Sequence, residues 1–179
     1  LYYNVMDVRP GDPHWEDRDR FIMSKGHCCP ALYAVLADKG YFGKEELATL
    51  RKLGSHLQGH PDMRKTPGVD ANTGSLGQGI AIAMGMALAA KHAKKDYRVF
   101  TLVGDGECQE GLVWEAAMSA AHYKLDNFTV IMDHNRLQID GDNDDVMSLG
   151  DIMGKFAAFG FDTYKVDGHD IDAVTAALK

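Results

Sequence analysis

The chain has 179 residues, 45% of them hydrophobic and 25% charged, with a formal net charge of -7. That length and balance describe an ordinary globular chain, large enough for one domain with its own core. The acidic balance argues against a nucleic-acid partner, because phosphate backbones select basic surfaces, and any anionic ligand has to be captured by local groups.

In chain order, the first segment through Lys25 is polar and turn-rich, with Pro10-Gly11-Asp12-Pro13 as a strong breaker. Cys29 to Lys39 has helical spacing and stops at Gly40, a residue suited to the left-handed position after a helix. Lys44 to Lys52 reads as a short charged helix. From Gly54 to Gly74 no period is sustained and Gly, Pro, Asn, Asp and His recur, which marks a functional loop. Cys28, Cys29 and Cys108 are too few and too oddly spaced for a disulfide framework, and the adjacent Cys28 and Cys29 fit small core residues in a reducing compartment.

Downstream the pattern alternates. Gly77 to Lys95 is a helix rich in Ala, Gly and Met, and its apolar run from Gly79 to Ala90 is too short to span a bilayer. Arg98–Val103 is an apolar strand, Leu112–Tyr123 a helix and Asn127–Met132 a second strand. Ile152–Phe159 is helical, Thr163–Val166 a third strand, and a helix begins at Ile171. Strands alternating with helices imply an α/β fold, a parallel sheet with helices on both faces. No repeat, linker or signal peptide is visible, so residues 1–179 read as a single domain. The chain starts at Leu1 without a methionine and ends at Lys179 inside a helical pattern, so it is expected to be trimmed at both ends.

In such sheets ligands sit beyond the carboxyl ends of the strands, where Gly104-Asp105-Gly106 and Asp133-His134-Asn135 fall. Asp105 lies between two glycines, which let backbone approach a ligand, and the following helix turns its positive end the same way. Asn135 ends the next strand, one βαβ unit later. A carboxylate, an amide oxygen, a backbone carbonyl and phosphate oxygens suit Mg²⁺ or Ca²⁺. A strand-to-helix turn with an unrelated asparagine explains the same residues. Gln109 breaks the G-x-G-x-x-G pattern, and no P-loop occurs. Gly74-Ser75-Leu76-Gly77-Gln78-Gly79 is a second glycine-rich turn, either a flexible helix entry or a close approach to a cofactor. His27 and His60 stand in glycine-containing loops. A zinc site built from His56, His60 and Cys28 or Cys29 lacks the usual ligand spacings. Glu107, Glu110 and Glu115 can be helix-start acids.

Taken together, the ordered series resembles transketolase. It comprises Asp17 to His27 (DRDRFIMSKGH), Gly59-His60-Pro61, Thr73 to Gly79 (TGSLGQG), Gly104 to Gly111 (GDGECQEG), Asn135 to Gly141 (NRLQIDG) and Val166 to Asp170 (VDGHD). The resemblance is to the N-terminal, diphosphate-binding domain and covers nearly the whole chain. It implies thiamine diphosphate as cofactor, with Asp105, Asn135 and the carbonyl of Leu137 as ligands of Mg²⁺ or Ca²⁺. Gly106 would contact the diphosphate through its N–H, and Gly74, Ser75 and Leu76 would line the cofactor, with Gly104, Glu107 and Asn135 in contact as well. His27 resembles the histidine beside the diphosphate and thiazolium, and His60 the one that binds donor hydroxyls and helps proton transfer. Glu110 and Glu115 resemble acids of a network across a dimer.

The implied reaction moves a two-carbon ketol unit from a ketose phosphate to an aldose phosphate in the cytoplasm. The family's activating glutamate lies on a pyrimidine-binding domain that is missing here. A C-terminal pyrimidine-domain subunit is therefore expected as partner, in a homodimer or heterotetramer, with no role for nucleic acid or membrane. Deoxyxylulose-phosphate synthase is the nearest rival, although its motif usually runs G-D-G-A-x-x-G-G. A non-catalytic scaffold of the same fold is the other.

Overall fold

The computed structural model describes residues 1–179. Its sheet has three parallel strands, β1 (Arg20–Met23), β2 (Val99–Gly104) and β3 (Phe128–Asp133), with β2 in the centre. Met23 pairs with Leu102 and Gly104 with Asp133, so β2 and β3 finish level while β1 stops two residues lower. The backbone after β1 stays beside β2, because Lys25 N–H donates to the Leu102 carbonyl at 3.2 Å.

Alternation along β2 divides the core into two layers. Val99 and Val103 face one cluster, with Ile22, Ile80, Ala83, Ala87 and Val113. Phe100 faces the other, with Phe21, Met23, Leu32, Tyr33 and Leu36. The second layer is covered by α1 (Cys29–Lys39), which ends at Gly40 in the left-handed region with φ 90°. The first is covered by α2 (Gln78–Ala93) and α3 (Gly111–His122). Their buried stripes, Ile80, Ala83, Ala87 and Ala90 on α2 and Val113, Ala116, Ala117 and Ala120 on α3, are mostly alanine, which lets the two axes approach closely.

A two-stranded antiparallel hairpin, β4 (Leu137–Gln138) and β5 (Gly141–Asp142), follows β3 and leads into α4 (Asn143–Met147). Helix α5 (Ile152–Phe159) is capped by Asp151, whose carboxylate accepts from Gly154 N–H, and it seats Phe156 against Trp114 with ring centroids 5.3 Å apart. Helix α6 (Ile171–Ala177) is capped in the same way by Asp170. Half-buried Arg18 pairs with buried Asp70 at 2.6 Å, and Asp70 also accepts from Phe21 N–H, which ties the loop that carries Asp70 to the start of β1. No helix is long and apolar enough to cross a membrane.

The expected parallel sheet with helices on both faces is present, with three differences in detail. The polar opening segment contains β1. Residues 163–166 form no strand, since Tyr164 and Val166 are exposed and the segment has no ladder partner. Lys44–Thr49 is a 3₁₀ helix ending before the expected Lys52; short isolated turns favour the tighter winding.

Candidate functional site

Asp105 is the residue on which the carboxyl edge of the sheet is organised. It follows β2 directly, its N–H donates to the Asp133 carbonyl at 3.2 Å, and it is 1% exposed. Its Oδ1 accepts from Gly106 N–H at 2.8 Å and caps the short 3₁₀ turn Gly106–Gln109. Its Oδ2 accepts from Arg136 N–H at 2.6 Å, so one carboxylate fastens the loop after β3 to the end of β2. The ring of His134 stands 3.5 Å from the same oxygen. Asn135 and Leu137 are exposed on that loop. Asn135 Oδ1 accepts from Leu137 N–H at 2.9 Å, and its Nδ2 donates to Asp133 Oδ2 at 3.4 Å.

Beneath this lies Glu107, also buried. Its Oε1 accepts from Ser24 Oγ at 2.5 Å and Gly77 N–H at 2.8 Å, and its Oε2 accepts from Gly104 N–H at 3.1 Å. One side chain thus joins the end of β1, the start of α2 and the end of β2. Cys108 is buried next to it, with its Sγ donating to the Gly104 carbonyl at 3.4 Å. Burial, then the charges of Glu107 and Asp105, push that thiol up to about 12, which leaves it chemically inert.

Lys25 is the one cation held inside the edge. It is buried and its Nζ donates to Asp133 Oδ2 at 2.6 Å. Burial works against its charge, but the Asp133 hydrogen bond and carboxylate outweigh burial, and its pKa is raised. His27 follows at the surface. Partial desolvation, then the Lys25 ammonium, push its imidazole below the ordinary histidine range; His60 adds to this, and Glu107 and Asp133 oppose it.

The loop between residues 54 and 77 forms the opposite wall. Thr73 Oγ1 donates to the Met23 carbonyl at 2.7 Å, and a β-carbon at Gly26 would stand 2.8 Å from Gly74 N. Gly74 itself has φ 144°, and a β-carbon there would press on His60 Cγ at 3.0 Å. The glycine-rich turn is therefore required by close approach of three chain segments. Tyr33 Oη donates to the carbonyls of Gln58 and His60, and Cys29 Sγ to those of Gln58 and Gly59, which fixes the backbone that carries His60. Ser75 is exposed and Leu76 half-buried on the same rim.

Of the residues expected from the sequence, Asp105 and Gly106 are in contact, and Asn135 stands on the loop that Arg136 N–H fastens to Asp105. Gly74 packs beside His60 and beside Gly26, which precedes His27 in the chain. Glu110 and Glu115 are exposed and form no ion pair within the chain. No three His, Cys, Asp or Glu side chains converge on a point. Sequence reading missed Lys25, and it missed the use of Glu107 as an internal tie.

Over residues 1–179 the chain matches the family model described as transketolase, thiamine diphosphate binding domain. It belongs to that family. Among curated transketolases it is 47% identical over 179 residues to an apulose-4-phosphate transketolase subunit from Phocaeicola vulgatus, covering 100% of this chain and 63% of that one. It is 45% identical to the 6-deoxy-6-sulfo-D-fructose transketolase subunit SqwG of a Clostridium species, covering 100% of this chain and 65% of that one. The chain thus spans somewhat under two thirds of the length of these relatives. Its fold superposes on the crystal structure of transketolase from Campylobacter jejuni with a TM-score of 0.92 at 38% identity, over 97% of this chain and 28% of that one.

Proposed function

We propose that this chain is the diphosphate-binding half of a transketolase, moving a two-carbon ketol unit from a ketose phosphate to an aldose phosphate with a pyrimidine-domain partner. The observation that carries the reading is the bond from Arg136 N–H to Asp105 Oδ2, which fastens the loop carrying Asn135 beside Asp105 and Gly106 at the level ends of β2 and β3, in a chain of this family. The two named relatives are subunits, which supports a second polypeptide completing the enzyme. Their names also point to phosphorylated or sulfonated ketoses as the donor class.

The residues fit a divalent cation with a diphosphate. Asp105, Glu107 and Asp133 set three carboxylates against the single ammonium of Lys25 at this edge. A diphosphate would be repelled there unless a divalent cation came with it. Asp105, the amide oxygen of Asn135 and the carbonyl of Leu137 supply the hard-oxygen set that Mg²⁺ or Ca²⁺ takes. Gly106 lies at the same edge, its N–H donating to Asp105 Oδ1. It would serve as a diphosphate donor by exchanging that bond for a diphosphate oxygen, with Gly104 beneath it, and Gly74, Ser75 and Leu76 form the facing wall. Glu107 acts by holding that floor in place.

Bound thiamine diphosphate supplies the nucleophilic carbon and the electron sink for the two-carbon unit. The chain positions and moves protons around it. His27, held neutral by desolvation and Lys25, accepts a hydrogen bond or proton at neutral pH, and His60 binds the hydroxyls of the donor sugar. Glu110 and Glu115, exposed and unpaired, are placed to meet a second protomer. Three free cysteines suit a reducing, cytoplasmic setting, and residues 1–179 act as one domain.

The test is glycolaldehyde transfer from xylulose 5-phosphate to ribose 5-phosphate, with thiamine diphosphate and Mg²⁺, using the chain with and without its partner. Activity should require the partner. Robust turnover by the 179-residue chain alone overturns the half-site reading.

A further inference from the structure

Asn143 opens α4 directly after the β4–β5 hairpin, and the fold makes no use of its side chain. The residue is 5% exposed, yet neither Oδ1 nor Nδ2 has a hydrogen-bond partner. Its backbone, by contrast, is committed to the site. Asn143 N–H donates to the Arg136 carbonyl at 2.9 Å, and Arg136 N–H donates to Asp105 Oδ2 at 2.6 Å. Gly106 lies against the side chain: a β-carbon there would stand 3.4 Å from Asn143 Oδ1 and 3.1 Å from Gln138 Cβ. Gln138 is already engaged, since its Nε2 donates to Gln109 Oε1 at 3.0 Å.

Asn143 is therefore the polar side chain over Gly106 with its valences free. A primary amide offers two N–H donors and a carbonyl acceptor, and burying it unpaired is costly enough that native folds complete such groups. An oxyanion seated at Gly106 presents the acceptors that this amide lacks. Since neither amide atom has a partner to fix its orientation, the amide can turn by half a revolution to present Nδ2 in place of Oδ1. We infer that Asn143 is a further ligand-contacting residue, with Nδ2 donating to an oxygen of the diphosphate held at Gly106. The inference rests on the cofactor reading above.

The test is calorimetry with thiamine diphosphate and Mg²⁺ on the complex with the pyrimidine-domain partner, for the wild type, Asn143→Leu and Asn143→Asp. Melting temperatures are taken without cofactor, and Mg²⁺-pyrophosphate is titrated as competitor. Asn143→Leu should hold or raise the melting temperature, because it removes an unpaired buried amide, while Kd for thiamine diphosphate rises about tenfold. Asn143→Asp keeps the shape and should weaken binding further, since a carboxylate then faces the anion. Pyrophosphate should weaken in parallel. Wild-type affinity in Asn143→Leu overturns the assignment and leaves an internal water as the amide's partner. Should the leucine variant unfold, wild-type affinity in Asn143→Asp overturns it equally. Failure of the wild-type complex to bind overturns the cofactor reading itself, whereas binding by the wild type with unchanged variants overturns this assignment alone.

Discussion

Replacing Glu107 is the sharpest probe of how the site is held together. Its two oxygens take three hydrogen bonds, two on Oε1 from Ser24 and Gly77 and one on Oε2 from Gly104. Glu107→Gln can keep both bonds on its remaining oxygen, but its NH₂ then confronts the Gly104 N–H. Two buried donor groups, the Gly104 N–H and the new NH₂, are then left facing each other unpaired, at a cost of about 1–3 kcal/mol each. Glu107→Ala strands all three donors, roughly 3–9 kcal/mol, which rivals the whole stability of a typical domain. For a chain of this size each kcal/mol lowers Tm by about 2–4 °C, so the glutamine variant should melt several degrees lower and the alanine variant should scarcely fold. Thermal and urea melts followed by circular dichroism give the comparison. A glutamine variant within about 0.5 kcal/mol of wild type would refute the reasoning, because it would mean that Gly104 N–H does not depend on the carboxylate.

Asp105→Ala should abolish Mg²⁺-dependent binding of thiamine diphosphate in the reconstituted complex; unchanged affinity by calorimetry would remove Asp105 from the metal set. His60→Ala should lower kcat/KM for the donor ketose by more than it weakens the cofactor, whereas His27→Ala should impair both, and equal cofactor-linked losses would put His60 on the wrong side. Because His27 is depressed in the folded chain, the folded state binds fewer protons than the unfolded one below the ordinary value of about 6.5, so His27 costs stability as pH falls through that range. Lys25→Met removes a depressing charge and should raise the His27 pKa. Imidazole shifts in an NMR titration report it, and a fall or no change would count against the pairing.

The core and the strand ends were legible because their signals are local. Val99 to Val103 is continuously apolar, and glycines on both sides of Asp105 announce a turn at its end. Asn135 became visible only through topology, as the matching position one crossover later. β1 was not legible: Phe21-Ile22-Met23 is too short for a period and is flanked by Asp17-Arg18-Asp19-Arg20, so only pairing with β2 makes it a strand. Residues 163–166 show the converse, a β-like composition without a neighbouring ladder. Glu107 and Lys25 were hidden for a different reason. A glutamate after a strand and a lysine before a histidine look like solvated charges until three distant segments close over them, and no spacing within one segment records that closure.

The thiol of Cys108, pushed up to about 12 and sealed beneath the Asp105 turn, can also serve as a clock. Alkylating reagents attack thiolates, and at neutral pH the closed turn offers essentially none. Once the turn opens, the group regains an ordinary pKa of about 8.5 and reacts. In the native protein the rate at which Cys108 is modified therefore follows the fraction of time the floor under Asp105 is open, and reaches the opening rate itself at saturating reagent. Cys28, half-buried at the start of α1, supplies the internal reference for reagent access. A ligand that clamps the turn slows one cysteine and not the other, so the opening rate of the site can be read from two thiols the chain already carries.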